Sequence, residues 1–183
     1  MRLFSGASSA IGRENMSETQ NGSLISPELN TAFNEHVSAE LAASHLYLNV
    51  AAYFGGRALK LLSKMFFKQA EEEHAHALKF IRYIADTGGK VSVPAVEAQP
   101  AVFESVEHVF QLALEWEWDV TRRINKLMIQ AVDEKDFAAQ DFLKWFVTEQ
   151  VEEVKTMDDM LKVAQASGER NIMMVEAYLV HQD

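Results

Sequence analysis

Apolar residues recur at steps of three and four along four stretches of this chain, and each stripe is broken near its middle by a carboxylate. The first stripe runs Leu29, Phe33, Val37, Glu40, Ser44, Tyr47, Ala51, Phe54. The second runs Leu62, Phe66, Ala70, Glu73, Ala77, Phe80, Ile84, with His76 alongside. The third is Val106, Phe110, Ala113, Glu117, Val120, Ile124, Leu127, Ala131, and the fourth is Ala139, Leu143, Phe146, Gln150, Glu153, Met157, Met160, Ala164. Such steps keep residues on one face of a helix, so the spacing predicts four long amphipathic helices.

Local signals bound them. Ser26-Pro27-Glu28 offers a capping serine, a proline at the first helical position and an acid in the first turn. Gly55-Gly56, Asp86-Thr87-Gly88-Gly89, Asp133-Glu134-Lys135-Asp136 and Ser167-Gly168-Glu169 mark the breaks. Val91 to Phe103 contains Pro94 and Pro100 and carries no helical pattern. That connection is long for a bundle and suits a crossover along a bundle edge. Ile172 to Val180 reads as a further helix of about three turns. Nothing alternates with the period of a strand. The expected fold is all-α: a four-helix bundle with one long crossover and a short fifth C-terminal helix over residues 26–183. A flexible Ser-, Gly- and Asn-rich arm over residues 1–25 is expected to precede it.

The 183 residues suit one domain with a substantial core. A formal net charge of −10 disfavours nucleic acid as a partner and favours cations. The chain has no cysteine, which excludes disulfides, thiolate metal sites and thiol catalysis. No apolar run is long enough to span a membrane, and the N-terminus lacks a signal-peptide core. A cytoplasmic location is expected. Arg2, Arg13 and neighbouring serines give the arm a faint organelle-targeting flavour, which Glu14 and Glu18 oppose.

The interruptions carry the chemistry. Antiparallel packing would bring Glu40, Glu73, His76, Glu117, Gln150 and Glu153 to one level of an apolar interior. Unpaired buried carboxylates are prohibitively costly, so such a layer needs positive charge. Four carboxylates balance two Fe²⁺ ions, and an imidazole is a ligand that suits iron. Any single mid-stripe Glu has an ordinary reading as an edge residue or half of an ion pair; four at matching depth do not. Glu72, Glu149 and Glu152 flank the stripes, where they form either a third, weaker ion site or a solvated acidic face. Tyr47, on the Glu40 stripe, is either a redox phenol or a core residue with a satisfied hydroxyl. Trp145 beside Phe146 reads as core packing, with an electron-relay role as the alternative. Trp116 and Trp118, flanking Glu117, read as packing against a neighbouring subunit or chain segment. His36, His45, His108 and His181 read as surface or interface residues.

Several of these motifs resemble those of the bacterial non-haem ferritins. The resemblance rests on Glu40-x-x-x-Ser44-x-x-Tyr47, Glu72-Glu73-x-x-His76-Ala77, Glu117, and Phe142-Leu143-x-Trp145-Phe146-x-x-Glu149-Gln150-x-Glu152-Glu153. It implies a ferroxidase centre in which Glu40, Glu73 and His76 hold one iron. Glu73 as a bridge, Glu117 and Glu153 hold the second, with Gln150 nearby. It implies a third iron site at Glu72, Glu149, Glu152 and Glu153, and a redox role for Tyr47. It further implies a homo-24-mer shell that oxidises Fe(II) with dioxygen or peroxide and stores ferric mineral. Bacterioferritins repeat Glu-x-x-His in the fourth helix, where this chain has Gln150 and Glu153. Their haem-ligating methionine follows the second-helix Glu, where this chain has His74, so no haem is expected. Animal ferritins place an acidic pair early in the fourth helix, where Gln140 and Leu143 stand here. The competing readings are a rubrerythrin-like di-iron peroxidase and a DNA-protecting miniferritin. The first lacks its second Glu-x-x-His and its cysteine-bound iron here. The second builds its iron site between subunits.

Overall fold

A computed structural model describes residues 22–180. The helices are α1 (Pro27–Gly56), α2 (Lys60–Asp86), α3 (Val106–Asp133), α4 (Phe137–Ser167) and α5 (Met173–Val180), with a 3₁₀ turn (Glu169–Asn171) before α5. No strand occurs among the described residues, and no helix among them is long and apolar enough to cross a membrane. Every residue of the four stripes is buried. The last helix begins one residue later than expected, at Met173, and the 3₁₀ turn Glu169–Asn171 precedes it.

Helix starts follow the capping chemistry. Ser26 Oγ accepts from Leu29 N–H at 3.0 Å, Ser105 Oγ from His108 N–H at 2.9 Å and Asp136 Oδ1 from Ala139 N–H at 2.9 Å. The first residue of α2 is preceded by Leu59, which has no side chain to give. Glu176, on α5, supplies the missing acceptor. Its Oε2 takes Leu61 N–H at 3.1 Å and its Oε1 takes Leu62 N–H at 2.8 Å. Glu169 does the same for α3, accepting from Val106 N–H at 2.6 Å while pairing with Arg57. The tail therefore seals two helix N-termini with carboxylates, where the helix dipole favours negative charge.

Most of the expected arm, residues 1–21, lies outside the described residues. The described end of it is docked: Leu24 N–H donates to Thr87 O at 2.7 Å, and Ile25 is buried with Leu29 and Ile84. Gly89 turns against this segment. A Cβ there would lie 2.7 Å from Asn30 Oδ1 and 2.9 Å from Ile25 Cγ2, so no larger residue fits the approach.

The crossover from Lys90 onward is extended and mostly exposed. Asn30 and Asn34 exchange bonds with it. Their Nδ2 groups donate to Lys90 O at 3.0 and 2.9 Å, and their Oδ1 atoms accept from Lys90 N–H and Ser92 N–H at 2.6 and 2.7 Å. Asn49 Nδ2 donates to Gln99 O and Pro100 O at 3.2 and 3.0 Å.

Helices α1 and α2 pack along their length, as do α3 and α4, while α2 and α4 approach each other far less closely. The apolar interior falls into two clusters. One contains Phe54, Phe66, Phe110 and Met157; the other contains Phe33, Phe80, Ile124 and Phe146. The interruptions of the four stripes lie between them along each helix. Trp116 is partly buried and touches both clusters, whereas Trp118 is exposed.

Candidate metal centre

Helix α1 contributes Glu40 and Tyr47 to the polar layer, α2 Glu73 and His76, α3 Glu117, and α4 Gln150 and Glu153. All seven are buried. One ligand atom from each of Glu40, Glu73 and His76 lies within 4.8 Å of the other two, a spacing that could hold a metal ion. Ser44 Oγ donates to Ala70 O at 2.8 Å and fastens α1 to α2 beside this group.

The carboxylates share a pattern. Glu40 Oε1 is 2.7 Å from His36 Nε2, Glu73 Oε2 is 3.1 Å from His76 Nδ1, and Glu117 Oε1 accepts from the Tyr47 hydroxyl. The second oxygen of each, Glu40 Oε2, Glu73 Oε1 and Glu117 Oε2, is buried with no N–H or hydroxyl to accept from, and the Glu40 and Glu73 carboxyls are close enough to share the proton that Glu73 retains. Buried polar atoms are almost always partnered, so three oxygens short of such donors point to a missing counter-charge. Around them, the Thr121 hydroxyl lies 2.9 Å from Gln150 Oε1 and 2.8 Å from Glu117 O. Gln69 Nε2 donates to Glu153 Oε2 at 3.1 Å and to Glu72 Oε2 at 3.0 Å.

Without cations the layer holds on to protons. Burial, reinforced by the charges of Glu117 and Glu40, pushes the Glu73 carboxyl well above its ordinary range. Burial raises Glu117 to about 7, although the hydrogen bond from Tyr47 works against it. Glu153 is raised to about 8 by burial and by the charge of Glu117. Burial also lifts the Tyr47 phenol well above its ordinary value, with Glu117 adding to it, and lowers the His76 imidazole. Glu40 differs. Burial opposes its ionisation too, but His36 beside it overrides that and holds the carboxyl below its ordinary value.

His36 corrects the reading of that residue as a surface or interface histidine: it is 2% exposed within the bundle and bonded to Glu40. Its i, i+4 relation to Glu40 was the available signal. Gln69 was likewise missed, and its partner Glu153 lies too far along the chain for spacing to reveal. His45 is exposed and His108 half-buried, while His181 lies outside the described residues. Trp145 is not core: it is 40% exposed, edge-on to the His76 ring at 5.3 Å, and covered by the Lys79 ammonium.

Glu72, Glu149 and Glu152 line a separate cavity of about 190 Å³ with Glu153, Gln69, Met65, Lys68 and Thr156. It lies between α2 and α4. Glu72 and Glu149 are half-buried and Glu152 is exposed. Burial and the Glu152 charge raise the Glu149 carboxyl, and Lys68 Nζ sits 3.0 Å from Glu72 Oε1. His74, next to Glu73 in sequence, faces solvent.

Comparison with known proteins agrees with this architecture. Residues 30–166 match the family model described as Ferritin: Ferritin-like domain. Ferritin BfrB of Mycolicibacterium smegmatis is 30% identical over 162 residues, covering 88% of this chain and 89% of that protein. A bacterial non-heme ferritin of Bacteroides fragilis is 34% identical over 156 residues, covering 85% and 98%. An open pore ferritin from the hyperthermophilic archaeon Archaeoglobus fulgidus superposes with a TM-score of 0.82 at 35% identity, covering 87% of this chain and 99% of that one. The chain belongs to the ferritin family.

Proposed function

We propose that this member of the ferritin family stores iron, oxidising Fe(II) at an intrasubunit two-iron centre and holding the ferric product as mineral inside a homo-24-mer shell. The observation that carries the reading is the convergence of buried Glu40, Glu73 and His76 ligand atoms within 4.8 Å, with Glu117 Oε2 buried and lacking an N–H or hydroxyl donor in the same polar layer. Hard carboxylate oxygens with one nitrogen donor suit iron. Four carboxylates neutralise two Fe(II) ions, which makes the loaded layer tolerable between two apolar clusters.

In this reading Glu40, Glu73 and His76 take one Fe(II), and Glu73, Glu117 and Glu153 take the other, with Gln150 at its side. Binding displaces the protons that Glu73, Glu117 and Glu153 retain in the metal-free layer. Each Fe(II) gives up one electron, and dioxygen accepts both with two protons, leaving hydrogen peroxide. Peroxide serves as an oxidant in the same way, its O–O bond breaking to give water. Tyr47, bonded to Glu117, supplies in this reading one of the two electrons that take peroxide to water, the other coming from Fe(II), with the phenol proton passing to that carboxylate. In the same reading Glu72, Glu149, Glu152 and Glu153 hold a third iron in the cavity they line. His74 stands at the position of the haem-ligating methionine of bacterioferritins, and the reading includes no haem.

The test is Glu73→Ala. Its metal-free form should keep the helical spectrum and particle size of the wild type by circular dichroism and light scattering. Stopped-flow absorbance after adding Fe(II) in air should show the fast ferric rise lost. Wild-type oxidation rates in that variant overturn the assignment.

A further inference from the structure

The ligand set named above leaves out a histidine that the structure puts next to it. His36 lies one turn before Glu40 on α1, 2% exposed, with its ring 4.6 Å from that of Phe80. Its Nε2 is 2.7 Å from Glu40 Oε1. An ionised carboxylate only accepts, so the Nε2–H donates. Nδ1 is buried and has no partner, so the ring is held by the Glu40 bond and by packing on Phe80.

His36 is not a ligand candidate itself. The atoms that converge within 4.8 Å belong to Glu40, Glu73 and His76, and His36 is not among them. It therefore acts through Glu40. The hydrogen bond occupies Oε1 and leaves Oε2, buried and with no N–H or hydroxyl donor, as the oxygen a cation can take once the proton held by Glu73 is displaced. The corresponding bond between His76 Nδ1 and Glu73 Oε2 has to break before both groups can face an ion. The His36–Glu40 bond does not: it can persist in the loaded centre and fixes the carboxylate before the ion arrives.

We propose that His36 is the positioning residue of the first cation site: it clamps Glu40 by one oxygen, presents the other to the metal, and thereby sets the affinity for the first ion rather than the rate of electron transfer. The inference rests on the metal-centre reading. Partners that hold a ligating side chain typically account for roughly 10–100-fold in metal affinity.

The test uses the full-length assembled protein, stripped with chelator and titrated anaerobically with Co(II), read by its visible d–d absorption and by calorimetry. The variants are His36→Leu, which has no donor, and His36→Gln, whose amide can still donate to Glu40. In His36→Leu the tighter Co(II) site should weaken by roughly 10–100-fold. In His36→Gln it should stay within several-fold of wild type. In aerobic Fe(II) oxidation, His36→Leu should raise KM and leave kcat close to wild type. Circular dichroism and gel filtration check the fold, and His36→Phe replaces His36→Leu as the donor-free variant if that protein is misfolded. Wild-type Co(II) affinity in the donor-free variant overturns the inference alone, as does a His36→Gln protein no better than it, or a loss confined to kcat. Absence of Co(II) binding by the wild type overturns the metal-centre reading and this inference with it.

Discussion

Glu117→Gln should make the metal-free protein more stable at alkaline pH and leave it little changed at acid pH. Glu117 is 1% exposed, and its carboxyl is raised from 4.5 to about 7, chiefly because burial disfavours its charge. Between those values the folded protein holds a proton that the unfolded chain has released. The folded state then binds more protons, so stability falls as pH rises through the window and levels off above it. The full difference corresponds to about 3 kcal/mol, most of which falls between about pH 5 and about pH 9. Glutamine keeps an oxygen to accept from Tyr47 and has no charge to bury. The stability of Glu117→Gln relative to wild type should therefore grow by at least that share between the two pH values. Relief of Glu73 and Glu153, whose carboxyls are both raised by the Glu117 charge, adds to it. Comparing the two pH values cancels any packing cost of the amide. Thermal unfolding of chelator-treated protein at fixed concentration is the assay, with an expected relative gain of roughly 5–10 °C at the alkaline end. The same stability difference at both pH values would refute the idea that Glu117 is a buried acid kept protonated for want of a cation.

Tyr47→Phe leaves Glu117 Oε1 without its donor and should cost the metal-free protein about 1–3 kcal/mol in unfolding experiments. Its first burst of Fe(II) oxidation should survive while later turnovers slow; unaltered turnover removes the electron-donor role. Glu176→Ala should destabilise the protein by about 1–2 kcal/mol and speed hydrogen exchange at Leu61 and Leu62, with Co(II) affinity unchanged. Protection at those two amides equal to wild type would show that the α2 terminus finds another acceptor.

The helices and most of the polar layer could be read from the sequence for one reason. A charged residue within an apolar stripe is conspicuous, and Glu40, Glu73, Glu117 and Glu153 each interrupt one. His36 escaped because the buried face of α1 is wider than one residue per turn, so Phe33, His36, Val37 and Glu40 are all enclosed. Gln69 sits one turn before Glu73, but what gives it a purpose is Glu153, 84 positions away. The caps that Glu169 and Glu176 place on α3 and α2 are equally non-local, joining the tail to backbone groups no pattern could associate with it. Trp145 shows the opposite failure. An aromatic next to a stripe is expected inside, yet Lys79 covers its ring at the surface.

Every bond by which Asn30, Asn34 and Asn49 hold the crossover ends on a main-chain atom of that segment. The amides of α1 behave like a neighbouring strand, offering donors and acceptors to a passing backbone and asking nothing of its side chains. Apart from Val91, which packs on the core, and the N–H groups of Lys90 and Ser92, which bar proline, these bonds leave the side chains between Lys90 and Pro100 unconstrained. The constraint that routes the chain from one helical hairpin to the other is carried instead by three modest polar residues of the opening helix.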